Sequence, residues 1–493
     1  VVKVTDSHGV SVTQDITVTV TGTNDAPDIV AIDVEGTVQE DVSLDSGNLV
    51  ESGSISFTDT DFTDTSDTTI AFIQTTTTGP VVPANLTTAL TNAINLSGDT
   101  VDANSGTVNW DFALDNDLVQ YLAQGESVTA TYRITVTDDS GITSANGNNE
   151  VNTRTQDVTI TINGSNDAPS ITVEAGDSAT QSLTETDTTL STTGTLSVSD
   201  VDLTNTVDVA VTSVTATGTT LGIPSNNTTL LSMLSVNSED IISNIQTDGT
   251  INYSFNSGSE AFDYLAKDEV LTLTYVVTVT DSSGAIDTQN VVLSVTGTND
   301  DPTITGSDTS ETLIESNSTN RTASGVLTLG DLDYSNTVAT TVQNVSIKSG
   351  SITAGLESEL ANNTDNALLN LMSLSSATLA NNEISDTFTW NFDSSTYSFD
   401  YLANGETIVF DYTIRATDSN DPSTFVDKVI TVTILGTNDT PDIVAVDVAG
   451  SVKEDTSLST GDLVENGSIT FSDTDLRDKS ETTIAFVGTN TTG

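Results

Sequence analysis

The chain has 493 residues, with 71 acidic and 11 basic side chains and a net charge of −60 at pH 7. Because so acidic a chain repels other polyanions, nucleic acid and anionic membranes are excluded as partners. It contains no cysteine and one histidine, which excludes disulfides and disfavours transition-metal sites. A hard divalent cation is the remaining candidate for a stabilising group.

Apolar residues make up 35% of the sequence and alternate regularly with polar ones, which argues against disorder. No apolar run approaches the ~20 residues of a membrane-spanning helix. We therefore expect no membrane insertion in this segment. We expect any secretion signal or anchor to lie outside these residues.

A six-residue phrase divides the chain into repeats. It reads GTNDAP at 22–27, GSNDAP at 164–169, GTNDDP at 297–302 and GTNDTP at 436–441. A period of about 140 residues is close to the size of one domain, so it predicts a tandem array of units that each fold alone. The predicted units are the end of a preceding repeat at 1–21, three repeats at 22–163, 164–296 and 297–435, and the start of a truncated repeat at 436–493.

Each repeat is predicted to be antiparallel β. The first repeat begins with strands over 28–41 and 53–61, and its closing hairpin begins with a strand over 127–138. This last strand alternates threonine with apolar residues, a pattern typical of a half-buried sheet. Its copies lie at 270–281 and 407–418, and short helices are predicted over 85–95, 226–234 and 366–374. Short strands at regular spacing indicate an all-β fold class, an array of immunoglobulin-like β-sandwich domains with short helical inserts.

Aromatic residues recur at matching places in the repeats. They could form a platform that stacks against sugars, or they could be core anchors of the sandwich, and we favour the core because aromatic residues are mostly buried. The recurring positions are Trp110, Tyr253 and Trp390, then Tyr121, Tyr264 and Tyr401, then Tyr132, Tyr275 and Tyr412.

Oxygen-bearing side chains recur in five sets. The connector phrase supplies Asn24 and Asp25, Asn166 and Asp167, Asn299 and Asp300, and Asn438 and Asp439. The second strand ends in a D-x-D pair, which is Asp59 and Asp61, Asp200 and Asp202, Asp331 and Asp333, or Asp473 and Asp475. The penultimate strand ends at Asp138, Asp281 or Asp418 and begins after Glu126, Glu269 or Glu406. The foot of the first strand carries Glu40, Glu185 or Glu315.

Strand direction predicts where these sets meet. If the first strand runs down from the connector, the foot glutamate and the glutamate before the penultimate strand lie at the bottom of a repeat. The D-x-D pair and the hairpin aspartate then lie at the top of the next repeat, with the connector between them. So many carboxylates at one junction repel one another unless cations lie between them, and calcium takes six to eight oxygen ligands in irregular geometry.

Turn chemistry is the alternative explanation, because aspartate and asparagine cap turns and proline fixes the exit of a connector. For a single aspartate that explanation is sufficient. Because several acidic motifs recur in every repeat and are placed at the same junction, we favour calcium as the cofactor.

The ordered motifs resemble those of a known family. The FDYLANGE-type segment, the strand ending in TVTDxxG and the GTNDAP connector resemble the VCBS repeats of giant secreted bacterial adhesins, a cadherin-like group. The resemblance implies calcium at cadherin-like linkers through the residues named above. It also implies an extracellular protein of the bacterial cell surface, exported by a type I system and used in attachment and biofilm formation. Repeat 2 departs from the pattern, since Asp268 and Glu269 replace Gly-Glu.

The resemblance implies an extender, or stalk, that holds a distal ligand-binding region away from the cell, with neighbouring repeats and calcium ions as its partners. The chain contains no glycine- and aspartate-rich nonapeptides of the RTX kind, so we expect it to come from the repetitive middle of such a protein. As an alternative, the variable inserts at 79–105, 218–249 and 348–385 would bind glycans or a partner protein. An enzyme is not expected, because His8 has no counterpart in other repeats and the paired carboxylates recur in every repeat.

Overall fold

The protein is described by a computed structural model over residues 1–102, 105–140, 152–237, 240–316, 320–348, 367–375, 378–394, 397–445, 447–456 and 458–492. It is an all-β protein with three successive β-sandwiches, each built from two facing sheets, and with short helical segments. The predicted fold class is confirmed. A short hairpin precedes the first sandwich and is formed by β1 (Val2–Thr5) and β2 (Ser11–Gln14).

The first sandwich has four strands in each sheet. Its strands are β3 (Asp28–Ala31), β4 (Glu35–Gln39), β5 (Asn48–Thr58), β6 (Ser66–Thr77), β7 (Ile94–Asp102), β8 (Ser105–Asp115), β9 (Ser127–Asp138) and β10 (Thr153–Asn163). One sheet has the order β3-β5-β8-β7 and the other β4-β10-β9-β6. This arrangement, with the last two strands adjacent and both on the second sheet, is that of an immunoglobulin-type sandwich.

The second sandwich repeats this order. Its strands are β11 (Ser170–Thr172), β12 (Thr180–Thr184), β13 (Ser191–Ser199), β14 (Val207–Gly218), β15 (Leu234–Val236), β16 (Asp248–Asn256), β17 (Val270–Asp281) and β18 (Ile286–Thr296). The sheets have the orders β11-β13-β16-β15 and β12-β18-β17-β14.

The third sandwich adds one short strand to the same plan. Its strands are β19 (Thr303–Thr305), β20 (Ser310–Ile314), β21 (Thr322–Gly330), β22 (Val338–Ile347), β23 (Met372–Leu374), β24 (Thr378–Leu379), β25 (Ser385–Asp393), β26 (Thr407–Asp418) and β27 (Phe425–Leu435). The sheets have the orders β19-β21-β25-β23 and β20-β27-β26-β22-β24. Beyond it lie β28 (Asp442–Ala445), β29 (Leu458–Ser459), β30 (Asp462–Leu463) and β31 (Ile469–Ser472).

The first strand of each repeat differs from the prediction. Instead of one strand over 28–41, the chain forms β3, which pairs antiparallel with β5, and then β4, which crosses to the other sheet and pairs parallel with β10. Because of this switch, one continuous segment supplies an edge strand to each of the two sheets. The second strand, predicted over 53–61, is β5 and lies at Asn48–Thr58.

The penultimate strands have the predicted bounds. In β9, β17 and β26 buried residues alternate with less buried ones along twelve residues, so the apolar side chains face the core and most threonines face outward. Each of these strands pairs with a strand that carries a one-residue bulge. The register shifts lie between Phe72 and Gln74 in β6, between Val211 and Ser213 in β14, and between Val342 and Asn344 in β22.

The recurring aromatic residues anchor the cores, as predicted. Trp110 and Trp390 are fully buried, and their indole N–H groups donate to Asp33 O at 2.9 Å and Asp308 O at 2.7 Å. The tyrosines of the penultimate strands are also fully buried. Because the faces of these rings are covered, they offer no surface on which a sugar could stack.

The helical segments are shorter than predicted. They are α1 (Ala84–Leu90), α2 (Asn227–Leu231) and a 3-10 turn at Leu369–Leu371. The last one to three residues of each predicted helix instead belong to β7, β15 or β23. These segments become strands because their backbones pair with the neighbouring long strand. Within the described ranges no helix is both long and apolar enough to cross a bilayer.

Candidate metal centres between the sandwiches

The connector phrase binds the top of the sandwich that follows it. At the first junction, before the first sandwich, the Asp25 amide donates to Asp61 Oδ2 at 2.8 Å, and the Asp61 amide donates to Asp59 Oδ1 at 2.9 Å. The Asn24 side chain donates to Asp138 Oδ2 at 3.1 Å. The connector, the D-x-D pair and the hairpin aspartate therefore lie together.

The same contacts recur at the second junction, between the first and second sandwiches. The Asp167 amide donates to Asp202 Oδ2 at 3.0 Å, and the Asp202 amide donates to Asp200 Oδ1 at 3.0 Å. Asn166 donates to Asp281 Oδ2 at 2.8 Å. The backbone of the connector therefore sets the positions of the carboxylates.

The third and fourth junctions, which follow the second and third sandwiches, repeat the pattern. The Asp300 amide donates to Asp333 Oδ2 at 3.1 Å, and the Asp439 amide donates to Asp475 Oδ2 at 2.8 Å. Within each D-x-D pair the amide N–H of the second aspartate again donates to the carboxylate of the first, from Asp333 to Asp331 and from Asp475 to Asp473.

The asparagine contacts differ at these two junctions. At the third junction the connector asparagine, Asn299, donates to Thr424 Oγ1, and Asn336 donates to Asp418 Oδ2 at 2.8 Å. Asn438 donates to the Asp439 carbonyl at 2.8 Å.

The foot glutamates reach the connector from below. Glu40, Glu185 and Glu315 are 0%, 1% and 2% exposed. Each accepts the amide N–H of the residue after the connector glycine, at 2.9 Å from Ser165, 2.6 Å from Thr298 and 2.8 Å from Thr437. Glycine is required before that residue, because a Cβ at Gly164 would lie 2.2 Å from the Leu122 carbonyl oxygen.

The glutamates before the penultimate strands have other neighbours. Glu126, Glu269 and Glu406 accept the amide N–H of Ala123, Ala266 and Ala403 at 3.1, 3.2 and 3.1 Å. The second oxygen of Glu126 accepts a hydrogen bond from Thr204 of the next sandwich at 3.0 Å. The three glutamates thus fix their loops, and Glu126 also contacts the neighbouring sandwich. Their role as metal ligands stays a prediction.

The structure adds acidic residues that the motifs in the sequence do not single out. Glu40, Asp41 and Asp167 offer oxygens that lie within 4.8 Å of one another, and so do Glu185, Asp187 and Asp263. The added residues have a sequence signal. Asp41 and Asp187 follow the foot glutamate by one or two positions, and Asp263 precedes the YLA segment.

An asparagine also joins the site three residues after each of two D-x-D pairs. Asn205 donates to Asp202 Oδ2 at 3.0 Å and to Asn166 Oδ1 at 3.0 Å. Asn336 donates to Asp333 Oδ2 at 2.9 Å. The motif is therefore D-x-D-x-x-N, with Asp64 and Asp478 at the same position of the other two copies.

Burial raises the pKa of several carboxyl groups at the junctions. The pKa of Glu40 rises to about 8, of Asp202 to about 7, of Asp300 to about 7 and of Asp333 to about 8, with loss of hydration as the main cause and neighbouring carboxylates as a further one. In the described part of the chain no ion pair involves these four groups. When these four groups ionise, no basic side chain of the described residues pairs with their charge.

Buried oxygens without a hydrogen-bond partner give the test of whether a cation fits. Among the described residues such oxygens include Asp167 Oδ2, Asp200 Oδ2, Asp202 Oδ1, Glu185 Oε2, Asp300 Oδ2, Asp331 Oδ2, Asp333 Oδ1 and Glu315 Oε2. A buried polar atom left unpaired is costly. An all-oxygen, anionic set of this size fits calcium and not a transition metal, which prefers nitrogen or sulfur.

Solved structures similar to the chain include cadherin extracellular domains. Protocadherin Gamma B2 extracellular cadherin domains 1-5 share 12% identity over 85% of this chain and 62% of that chain, with a TM-score of 0.33. The Protocadherin gammaB7 EC3-6 cis-dimer structure shares 12% over 85% of this chain and 76% of that one, with a TM-score of 0.35. Mouse Cadherin-23 EC22-24 shares 12% over 84% of this chain and 99% of that one, with a TM-score of 0.32.

At this level of similarity the matches do not establish a function, and the fold class rests on the strand pairing within the three sandwiches. No protein-family model matches the chain, and no curated protein matches it. The fold and the junctions define an array of immunoglobulin-type β-sandwiches with acidic linkers.

Proposed function

We propose that the chain is a calcium-stiffened extender segment in which ions bind at the linkers between sandwiches. The observation that carries the proposal is the set of buried, unpartnered carboxylate oxygens, because they come from the connector and from both flanking sandwiches. At the third junction, Glu185 and Asp263 come from the second sandwich, Asp300 from the connector, and Asp331 and Asp333 from the third sandwich.

Calcium bound by these residues would link the preceding sandwich, the connector and the following sandwich, which share no strand. The connector itself has no regular secondary structure at 297–302. Without an ion, repulsion between the carboxylates favours separation of the two sandwiches. With an ion, the same carboxylates hold the sandwiches in one orientation, which converts a flexible chain into a rod.

The proposed setting is the surface of a bacterium, where the segment is part of a large secreted adhesin used in attachment and biofilm formation. The support for this setting is the motif set FDYLANGE, TVTDxxG and GTNDAP. A twelve-residue strand such as β9 spans ~40 Å. Three sandwiches in line therefore reach on the order of 100 Å, enough to hold a distal binding region away from the cell.

Ligand binding by the inserts gains no support from the described residues. Of the recurring aromatic side chains that a sugar platform would need, Tyr121 is partly buried against the core and the others are buried in it. Much of the third insert, predicted at 348–385, lies outside the described residues.

The test is a calcium titration of the full chain read by thermal melting. Calcium at ~5 mM exceeds the roughly 10⁻⁴–10⁻³ M affinities of extracellular modules, so it should raise the melting temperature of the wild type. The variant Asp200→Ala/Asp202→Ala should respond much less in its second sandwich. The control Glu174→Ala/Asp248→Ala removes two exposed acids from the same sandwich and should respond like the wild type.

Small-angle scattering of the same samples measures stiffness directly. Chelation should shorten the maximum dimension of the wild type and of the control. Equal calcium shifts in all three proteins would refute the assignment of the site, and an unchanged maximum dimension on chelation would refute the stiffening.

A further inference from the structure

The foot glutamates Glu40, Glu185 and Glu315 differ in whether both oxygens of the carboxylate accept a hydrogen bond. Glu185 and Glu315 each accept an amide N–H at Oε1, and each leaves a buried Oε2 for which the described residues provide no hydrogen-bond partner. Glu40 differs from both. Its Oε2 accepts the Ser165 amide at 2.9 Å, and its Oε1 accepts the side-chain amide of Gln120 at 2.8 Å.

Gln120 takes the place of an acid. It stands immediately before the YLA segment, where the second and third sandwiches have Asp263 and Asp400. Asp263 lies in the carboxylate cluster with Glu185, and Asp263 Oδ1 and Asp400 Oδ1 are buried with no hydrogen-bond partner among the described residues.

The rest of the first cluster does not replace the lost charge. Asp41 occupies the place that Asp187 has in the second cluster, since both are exposed and lie beside the foot glutamate. The connector aspartates Asp167 and Asp300 also correspond to each other. The linker after the first sandwich therefore has one carboxylate fewer, and Gln120 donates a further hydrogen bond to Asp41 Oδ1 at 3.1 Å.

We infer that the linker between the first and second sandwiches binds calcium more weakly than the linker between the second and third. The inference rests on the proposed function. Calcium affinity follows the number of ligand charges, and Gln120 both removes one charge and engages the Glu40 and Asp41 oxygens that an ion would need. As calcium falls, the first of these linkers to lose its ions and bend is the one beside Gln120.

The experiment uses the full chain, whose lack of cysteine allows spin labels to be placed at chosen pairs. The pair Thr155→Cys and Thr215→Cys spans the first of the two linkers. The pair Thr288→Cys and Ser346→Cys spans the second at the matching strand positions, and all four side chains are exposed. Distance distributions between the labels are recorded across a calcium titration.

The distribution across the second linker should narrow at a calcium concentration at least about tenfold lower than that across the first. Gln120→Asp should bring the midpoint of the first linker down toward that of the second. Asp263→Asn is the reciprocal change and should raise the midpoint of the second linker while leaving the first unchanged.

Equal midpoints in the parent chain, or midpoints that move with neither substitution, overturn this inference and leave the proposed function standing. Distributions that calcium narrows at neither linker overturn both. Because Asp263→Asn is isosteric and tests the same contrast from the other side, the result does not depend on the folding of Gln120→Asp.

Discussion

Several carboxylates of the linkers are buried, and among the described residues Asp202, Asp300 and Asp333 have no ion-pair partner, which has a cost that depends on pH. Asp333 is fully buried, and its pKa rises from 3.8 to about 8, chiefly because burial removes its hydration. Between these two values the folded chain binds a proton that the unfolded chain has released. The free energy of unfolding must then fall as pH rises through this range.

For the calcium-free chain we therefore predict a melting temperature that declines from pH ~5 to pH ~8.5. Stability from protonated Asp333 is fully present below pH ~4 and is lost as the pH passes its folded pKa of about 8. Scanning calorimetry in chelator measures the decline. Asp333→Asn, which cannot ionise, should reduce it, and a profile as steep as that of the wild type would contradict the role of this group.

In saturating calcium the slope should reverse, because ligand carboxylates must be deprotonated to bind the ion. The control is the comparison of the melting profiles recorded in chelator and in calcium. Carboxyl groups outside the linkers contribute equally to both profiles, so a difference in slope reports the linker carboxylates.

At the scale of elements, a tyrosine of the penultimate strand holds each helical insert. The hydroxyl groups of Tyr132, Tyr275 and Tyr412 donate to the carbonyl oxygens of Leu90, Leu230 and Leu368 at 2.8, 2.9 and 2.8 Å. Because α2 has only five residues, it is too short to be stable alone, and tertiary contacts must hold it.

Tyr275→Phe removes one such hydrogen bond and leaves the ring in place. We expect a local loss of about 1 kcal/mol, so amide hydrogens of α2 and β15 should exchange roughly fivefold faster. Hydrogen exchange by mass spectrometry measures this, and α1 in the same molecule is the control. Equal exchange of α2 in both proteins would show that the apolar packing of Leu230 suffices.

The sequence predicts some elements fully and others only in part, for reasons that the contacts explain. The strand over 127–138 is predictable because its apolar residues recur at every second position and these same residues are buried. The break between β3 and β4 is not, since it depends on which sheet each half joins.

The site follows the same division. Strand direction alone predicts that the D-x-D pairs lie beside the connector, where Asp61, Asp202 and Asp333 accept its amide N–H groups. Their role as metal ligands stays a prediction. Asp263 is not predictable in the same way, because its segment has the pattern of an aromatic core motif and its carboxylate meets Glu185 only through the packing of loop against strand.

At the scale of the whole molecule, a net charge of −60 raises the question of whether calcium acts at sites or merely screens repulsion. Screening depends on ionic strength and reduces repulsion between all exposed charges. Ligation acts only where buried oxygens converge, as at Asp167 and Asp202.

We predict that sodium chloride at ~0.5 M in chelator, where screening extends over only a few ångströms, raises the melting temperature far less than ~5 mM calcium does. Magnesium at the same concentration should also be a poor substitute, because it prefers an octahedral shell and retains its water. Thermal melting by circular dichroism gives both comparisons. Salt or magnesium that matched calcium would show screening alone.

The bulges in β6, β14 and β22 have a consequence for folding, while the sandwiches are still incomplete. Repeats joined by a short connector meet one another at effective concentrations on the order of millimolar, where strands of one repeat can pair with those of the next. β6 and β14 lie at the edge of their sheets. A bulge bends such an edge and breaks its regular ladder of hydrogen-bonding groups. We therefore expect these single extra residues to protect the array from exchange of strands between neighbours during folding.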